Sequence, residues 1–541
     1  MTKAETGNNV WSNRWTAAAE VMLIFLVFFL YAGWPPPDVN EAHYLAKAKH
    51  YWEPEWCASD HFLQSADAHL AFYWTLGWLT RLAPLPGAAW LGRFLTWFLL
   101  AWSWRRLSWA VIPRPFASLL TACGFLLFSS RFHMAGEWVV GGFEAKGIAY
   151  ALVFFALGAI LRQQWNWGWI LLGAATSFHV LVGGWSLVAA GCAWLACPHL
   201  RPPLARMLPA LGAALILTLP GLIPALLLNH GVGADVSRHA NMIYVYGRLA
   251  HHLVFHRFPH WHVARFAILL VIWLVACRAT ACPTSTGALG QRPLRGFVGG
   301  AVCIAIVGIA IDQSLLHHLD VAAGLLRYYW YRLSDAMLPV GASLALVAWL
   351  TSFRDRRPGW GQAALVAAVL IAGGNLAWTN VQRRGDLRPG SDVQMLPAWP
   401  DDPARTRRTY EDWRETCDWI AEHTPKNACF ITPRMQQTFK WYAARSEVCC
   451  WKDVPQDAAE LVQWWQRQRE LYPRRVVFGG LAAHGEQGLR DLAAKYRADY
   501  VVVDRYLNPR PLLLPRLYPS RFSATTSAYE IYQVPQTGSD R

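Results

Sequence analysis

The sequence predicts a polytopic α-helical membrane protein of about eleven transmembrane helices, followed by a soluble α/β domain. Three observations predict it. Only 16% of the 541 residues are charged, against roughly 25% in ordinary soluble domains, while 54% are hydrophobic and 31 are Trp. Apolar runs of membrane length recur from Trp15 to about residue 380. Beyond them the pattern changes to short segments alternating between helical and strand periods.

The spans are expected near 15–34, 87–104, 115–130, 147–162, 167–181, 183–198, 207–228, 263–278, 296–312, 334–352 and 360–379. The first run is longer than a signal-peptide core and lacks a small-residue cleavage site, so it reads as a retained anchor. It stops at Pro35-Pro36-Pro37, which cannot continue a helix. The loop 35–86 that follows carries an amphipathic stretch from Leu70 to Leu82, with Phe72, Trp74, Leu76 and Trp78. Its length and charge fit an interfacial helix rather than a span.

Orientation follows from Lys and Arg. With the N-terminus cytoplasmic, the inner loops hold Arg105-Arg106, Arg162, Arg201, Arg206, Arg292, Arg295, Arg354 and Arg356-Arg357. The long loops 35–86, 131–146, 229–262 and 313–333, and everything after about 380, are then extracytoplasmic. The net charge of +15 is accounted for by these span-flanking residues, so a nucleic-acid partner is not expected.

Residues 1–380 read as the membrane domain, the Pro-, Arg- and Asp-rich stretch 381–407 as a linker, and 408–541 as the soluble domain. Within the last, helices are expected near 408–423, 456–470 and 485–496. Strands are expected at 428–432, 447–450, 475–478 and 499–503. No GxGxxG, P-loop or GxSxG is present. Eleven Cys are scattered without zinc spacing. Cys417, Cys429, Cys449 and Cys450 leave room for one disulfide on the outer side.

Four groups of residues could carry chemistry. Asp38-Val39-Asn40-Glu41-Ala42-His43-Tyr44 follows the first span, and carboxylates at a membrane boundary are costly unless they reach water or a cavity. In a helix starting after the prolines, Asp38 and Glu41 would share a face, as a base and its partner require. Acids that merely favour a helix N-terminus would read the same way. Gly141-Gly142-Phe143-Glu144-Ala145-Lys146-Gly147 follows Glu137 at the outer end of the third span. Its glycines allow close backbone approach, and Lys146 either neutralises a phosphate or snorkels beside Glu144. The loop 229–262 holds seven His with Arg238, Arg248 and Arg257, in no zinc pattern, and reads as an anion- or headgroup-facing surface. Arg327-Tyr328-Tyr329-Trp330-Tyr331-Arg332 places two Arg in an outer aromatic belt, against the charge bias, as lipid-phosphate binding would.

Together these positions resemble the GT-C superfamily of membrane glycosyltransferases. Asn40-Glu41-Ala42-His43-Tyr44 is similar to the acid-Glu-x-His/Arg-aromatic motif of protein O-mannosyltransferases and lipid A aminoarabinose transferases. Glu41 matches that Glu, while Asn40 stands where the family has its catalytic Asp. Asp38, two residues earlier, is the substitute. Val140 to Arg162 is similar to the second acidic motif of oligosaccharyltransferase catalytic subunits, with Glu144 matching its first acid and Lys146 replacing its second. Trp413 to Arg445, with Thr424-Pro425, resembles the start of their soluble domain. The sequon-reading Trp-Trp-Asp is missing, and Pro433-Arg434-Met435 stands near its place. The chain as a whole resembles polytopic proteins of planctomycete-type bacteria.

The resemblance implies sugar transfer from a polyprenyl-phosphate donor to a lipid, glycan or protein acceptor, outside a bacterial inner (plasma) membrane. Asp38 or Glu41 would be the base, and Glu144 would orient the acceptor or share a cation. Lys146, Arg327 and Arg332 would hold the donor phosphate, with Arg248, His251 and His252 as further candidates. No protein metal-ligand set is assigned; a divalent cation, Mg or Mn, remains open. Two rival classes are a polytopic transporter and a non-catalytic scaffold of the same fold. A transporter is expected to show inverted repeats and charged or broken helices at the midplane, whereas here the charges gather at the outer ends.

Overall fold

The computed structural model describes residues 3–280, 291–520 and 527–535, so parts of the loop before Arg292 and of the C-terminal region fall outside the described residues. Every expected span coincides with a helix. They are Lys3–Ala32, Leu85–Val111, Ala117–Arg131, Ala145–Leu161, Trp165–Phe178, Val180–Leu195, Leu204–Leu227, His260–Ala279, Arg292–Ser314, Arg332–Arg356 and Pro358–Arg384. Six described helices are long and apolar enough to cross a membrane by themselves: Arg14–Ala32, Leu204–Leu227, His260–Ala279, Arg292–Ser314, Arg332–Arg356 and Pro358–Arg384. Ala117–Arg131, Ala145–Leu161 and Val180–Leu195 are apolar but shorter. At 1.5 Å per residue, such helices reach about 25 Å or less, against roughly 30 Å of hydrocarbon. Several long apolar helices mark a multi-pass membrane protein.

Exposure agrees with that reading. Leu208, Leu215, Ile216 and Ile223 on one helix, and Val369, Leu370, Ile371 and Val381 on another, stand exposed in rows that water would not favour. The helices between them bury Trp97, Trp104, Phe125, Tyr150, Phe154 and Leu338 in one continuous core. Trp165–Phe178 and Val180–Leu195 are joined by the single extended residue His179. A side chain at Gly183 would overlap the Thr176 backbone, so a hairpin this tight needs glycine there.

Alternate helix ends gather on two sides. On one, Arg162 Nη2 donates to the Arg106 carbonyl, and Arg114 pairs with Asp355. On the other, Tyr31, Gly136, Lys146, His179, Leu228 and Arg332 border one cavity. The stretch Leu70 to Leu82 forms three short consecutive helical segments, Leu70–Phe72, Tyr73–Gly77 and Leu79–Leu82, with Trp74, Trp78 and Leu82 exposed.

From Pro403 the chain builds a five-stranded sheet flanked by helices. The strands are β1 (Cys429–Ile431), β2 (Ser446–Glu447), β3 (Tyr500–Asp504), β4 (Arg516–Tyr518) and β5 (Tyr529–Gln533), in the order β2-β1-β3-β5-β4. β1 runs parallel to β2 and β3, and β5 is antiparallel to both β3 and β4. Strand alternation divides the two faces. Phe430, Val502 and Ile531 pack on Trp413 and Ile420 of helix Pro403–His423. Ile431, Val501 and Val503 pack with Leu461 and Trp464 of helix Ala458–Leu471.

Here the structure corrects the sequence reading. The expected strand 475–478 is the helix Arg474–Gly479, because the Pro473 carbonyl accepts from both Val476 N and Val477 N and starts a helical turn. Strands β4 and β5 were not anticipated. Among the described residues the cysteines are free. Within 381–407 lies a short helix, Gly390–Met395, with Asp392 buried. Asp392 accepts from Thr438 Oγ1 (2.7 Å) and Tyr442 OH (2.6 Å), and Ser391 Oγ donates to the Asp38 carbonyl (2.9 Å). This segment therefore packs on both the acidic motif and the sheet.

Candidate functional site

The acidic motif is organised around the Glu41 carboxylate. The helix after the prolines begins only at Glu41 (Glu41–Trp52), so Asp38 precedes it instead of sharing its face. The Glu41 side chain turns back and accepts from Asp38 N, three residues earlier and outside the helix, at 2.7 Å. Glu41 is completely buried. It also accepts from Phe143 N (2.6 Å), from Arg93 Nε (2.6 Å) and from Arg93 Nη2. All four acceptor positions of the carboxylate are thus used, which fixes residue 38 against the second motif.

Asp38 is placed differently. Its carboxylate accepts from its neighbour Val39 N (2.8 Å) and borders the cavity, which Glu41 does not. Gly142 makes this approach feasible, since a Cβ there would lie 2.8 Å from both Asp38 Cβ and Glu41 Cγ.

The second motif is held from below. Asp335 accepts from Met134 N (2.8 Å) and Ala135 N (2.7 Å), and Trp97 Nε1 donates to the Gly141 carbonyl (2.9 Å). Lys146 Nζ lies 3.6 Å from Glu137 Oε1, 3.7 Å from Glu144 Oε2 and 3.3 Å from the Trp138 ring centre. Glu137 also pairs with Arg332 Nε at 3.1 Å, and Arg332 Nη1 meets His179 Nε2 at 3.0 Å. Asn40 Nδ2 donates to Glu144 Oε2 (3.2 Å), so the two motifs touch through this pair. Burial raises the Glu144 pKa.

Glu137, Lys146, His179 and Arg332 face a cavity of about 830 Å³, which Glu144 does not border. Asp38, Asn40, Lys146, Arg248, His251, His252, Arg327 and Arg332 all border it, as do Arg383 and Lys452. Arg327 Nη1 donates to Asn241 Oδ1 (2.6 Å), and Arg248 Nε donates to the Trp451 carbonyl (3.2 Å). Burial lowers the pKa of His251, and takes that of His252 down to about 3. His252 Nδ1 faces the Ala135 carbonyl. His252 is therefore a neutral ring near pH 7. Lys452 is lowered to about 8, by burial first and Arg248 next. Leu181, Leu222, Ala225 and Leu226 form an apolar side of the same cavity.

Three participants were missed from sequence. Arg93 had a signal, a lone cation inside the apolar run Ala88 to Leu100. Lys452 had none, because the fold brings it from the far end of the chain. His69 borders the cavity with Nδ1 held by Asp67 (2.7 Å) and Nε2 toward Tyr44 OH (3.3 Å), and only its place in the loop 35–86 hinted at this.

The group among the described residues with metal-ligand spacing is Glu447, Cys450 and Asp453, all buried. Lys440 Nζ already lies 2.6 Å from both Glu447 Oε1 and Asp453 Oδ2, so an ammonium fills the place of a cation. The donor set therefore does not suit a resident metal. At Glu137 and Glu144 the Lys146 ammonium stands in the same relation.

One family model, a domain of unknown function (DUF6798), matches residues 411–471, which run from helix Pro403–His423 through β1 and β2 to helix Ala458–Leu471. No curated protein matches the chain. Among solved structures, the chain is similar to the oligosaccharyltransferase of Archaeoglobus fulgidus in complex with zinc and sulfate. The identity is 13% and the TM-score 0.45, over 90% of this chain and 67% of that one.

Proposed function

We propose that the chain is a membrane glycosyltransferase that moves a sugar from a polyprenyl-phosphate donor to an acceptor at this cavity, on the extracytoplasmic face. The observation that carries the proposal is one cavity lined by Asp38, a carboxylate with no ion pair among the described residues, by Lys146, Arg327 and Arg332, and by an apolar wall. A phosphate group needs the cations, a prenyl chain needs the apolar wall, and an acceptor hydroxyl needs the carboxylate.

The reaction is a displacement. Asp38 takes the proton of the acceptor hydroxyl as its oxygen bonds to the anomeric carbon. The bond from that carbon to the donor phosphate oxygen breaks, and the electron pair leaves with the phosphate. Lys146, Arg332 and Arg327 stabilise that charge, with Arg248 and Lys452 at the periphery. Glu41 is a positioning residue in this scheme, because all its acceptor positions are engaged. Glu144 orients the acceptor through Asn40.

The test is sugar transfer in liposomes containing a polyprenyl-phosphate sugar and the full-length protein. Asp38→Asn should lower transfer about 10²–10⁴-fold while the donor still binds. Transfer at the wild-type rate in Asp38→Asn would remove the assignment, and absence of any donor binding would remove the function. A transporter would move the donor without breaking its glycosidic bond.

A further inference from the structure

A second cavity, of about 340 Å³, lies behind the loop 136–140. It opens between the ends of helices Lys3–Ala32, Ala117–Arg131 and Pro358–Arg384, and shares Tyr31, Glu137, Trp138 and Arg383 with the larger cavity. Its own residues include Arg131, His133, Thr379 and Gln382. Two guanidinium groups therefore face one small space. Arg131 Nε donates to Asn375 Oδ1 (3.3 Å) and Arg383 Nη1 to the Tyr31 carbonyl (3.3 Å), which leaves most of their N–H groups available. His133 Nδ1 is buried without a hydrogen-bond partner among the described residues, an orphan that a ligand would satisfy. The adjoining helix Pro358–Arg384 is almost wholly unburied, with Trp378 and Val381 exposed just beside Thr379.

We infer that this cavity binds the phosphate headgroup of a membrane-anchored molecule, and that this molecule is the acceptor. The inference rests on the glycosyltransferase reading and adds the acceptor class to it. Paired guanidinium groups at a span end suit a phosphate monoester, which accepts several charge-assisted hydrogen bonds. The exposed apolar helix beside the opening gives acyl chains a surface to lie on. Tyr31 connects the two compartments, because it borders both cavities. An acceptor held here would reach the larger cavity, which Asp38 borders, past the shared residues Tyr31 and Trp138.

Native mass spectrometry of the full-length protein, from nanodiscs of phosphatidylcholine doped with phosphatidic acid, tests this. The wild type should retain phosphatidic acid in preference to phosphatidylcholine. Thr379→Trp, which fills the cavity, and Arg131→Gln should each lower that retention about tenfold. Both variants should keep polyprenyl-phosphate binding, since neither residue borders the larger cavity. Equal retention in wild type and variants would overturn the inference. So would inorganic phosphate binding the lipid-free protein as tightly as the lipid, because the ligand would then need no membrane anchor. Lys146→Met separates this from failure of the main reading: it should lose polyprenyl phosphate and retain phosphatidic acid.

Discussion

Arg93 and Glu41 form a buried two-pronged ion pair, with Nε 2.6 Å from Oε1 and Nη2 on Oε2. Glu41 is 0% and Arg93 1% exposed. The pair joins helix Leu85–Val111 to the start of helix Glu41–Trp52, and the same carboxylate holds Asp38 N and Phe143 N. It therefore works as the clamp that sets the distance between the two motifs.

Removing one member should unfold the clamp more than it affects chemistry as such. Glu41→Met leaves a buried guanidinium unpaired, which costs about 3–5 kcal/mol. The expected outcome is a lower midpoint of thermal unfolding in detergent and poor recovery of folded protein. Arg93→Leu added to Glu41→Met should regain part of the loss, since no lone charge remains. Asp38→Asn should leave the midpoint unchanged. If Glu41→Met is as stable as wild type but inactive, Glu41 acts directly on the substrate and the base assignment to Asp38 is wrong.

Lys452 gives a pH dependence with a definite sign. Its pKa is lowered to about 8, so the cation is present below that pH and lost above it. Binding of polyprenyl phosphate should weaken as pH rises through about 8, and Lys452→Met should flatten that profile. Stability runs the other way. The unfolded chain holds this proton up to about 10.5, so between about 8 and 10.5 folding grows more favourable as pH rises. Isothermal titration across pH 7–9 (roughly the window set by the lowered Lys pKa) would expose an unchanged affinity, which would exclude Lys452 from the phosphate site.

The helices were legible because span-length apolar runs and flanking Arg determine them locally. The motifs were legible for the same reason: a carboxylate after Pro37, or a Lys after Gly142, is conspicuous at a membrane boundary. What Asp38 and Glu41 each do was not. Sequence spacing placed them on one helical face, whereas the helix starts only at Glu41, whose side chain folds back onto the Asp38 N–H and leaves Asp38 outside it. That difference depends on Arg93, a partner 52 positions away. The 475–478 error has a local cause, since Val476-Val477-Phe478 reads as a strand until Pro473 is credited with starting a helix. Lys452 shows the other limit, because nothing near it in sequence relates to the cavity.

Lys440 ties the loop 35–86 to the sheet and should be costly to remove. Its ammonium lies 3.3 Å from Asp60, 2.6 Å from Glu447 and 2.6 Å from Asp453, all buried. Lys440→Met should lower stability by about 3–5 kcal/mol at neutral pH. Burial, beside Asp453 and Asp60, already raises the Glu447 pKa in the wild type. The stability held by its neutral form is complete below the unfolded value of 4.5 and is lost as pH rises through the folded value. Without the ammonium this trend should steepen, so the deficit of Lys440→Met should shrink on acidification toward that value. Thermal unfolding across this range, with a deficit that stays constant, would mean that the three carboxylates do not depend on Lys440.

Lys146 bears on metal dependence, because its ammonium lies within 3.7 Å of both Glu137 and Glu144 and fills the place a bridging cation would take. Wild-type transfer should therefore continue after chelation. Lys146→Met removes the ammonium and leaves two buried carboxylates facing one another, with the Asn40 amide and the Tyr150 hydroxyl as further oxygen and nitrogen neighbours. That variant should lose transfer by about 10²–10³-fold, the scale of a lost transition-state charge partner. Added Mn²⁺ should restore part of it, since oxygen ligands of this kind suit hard divalent cations. The informative measurement is transfer with chelator, then with excess Mn²⁺, in both proteins. Complete loss in the wild type on chelation, reversed by Mn²⁺, would show that the ammonium does not substitute for a metal. In that case Glu144 would have to be reassigned from orienting the acceptor to holding the ion.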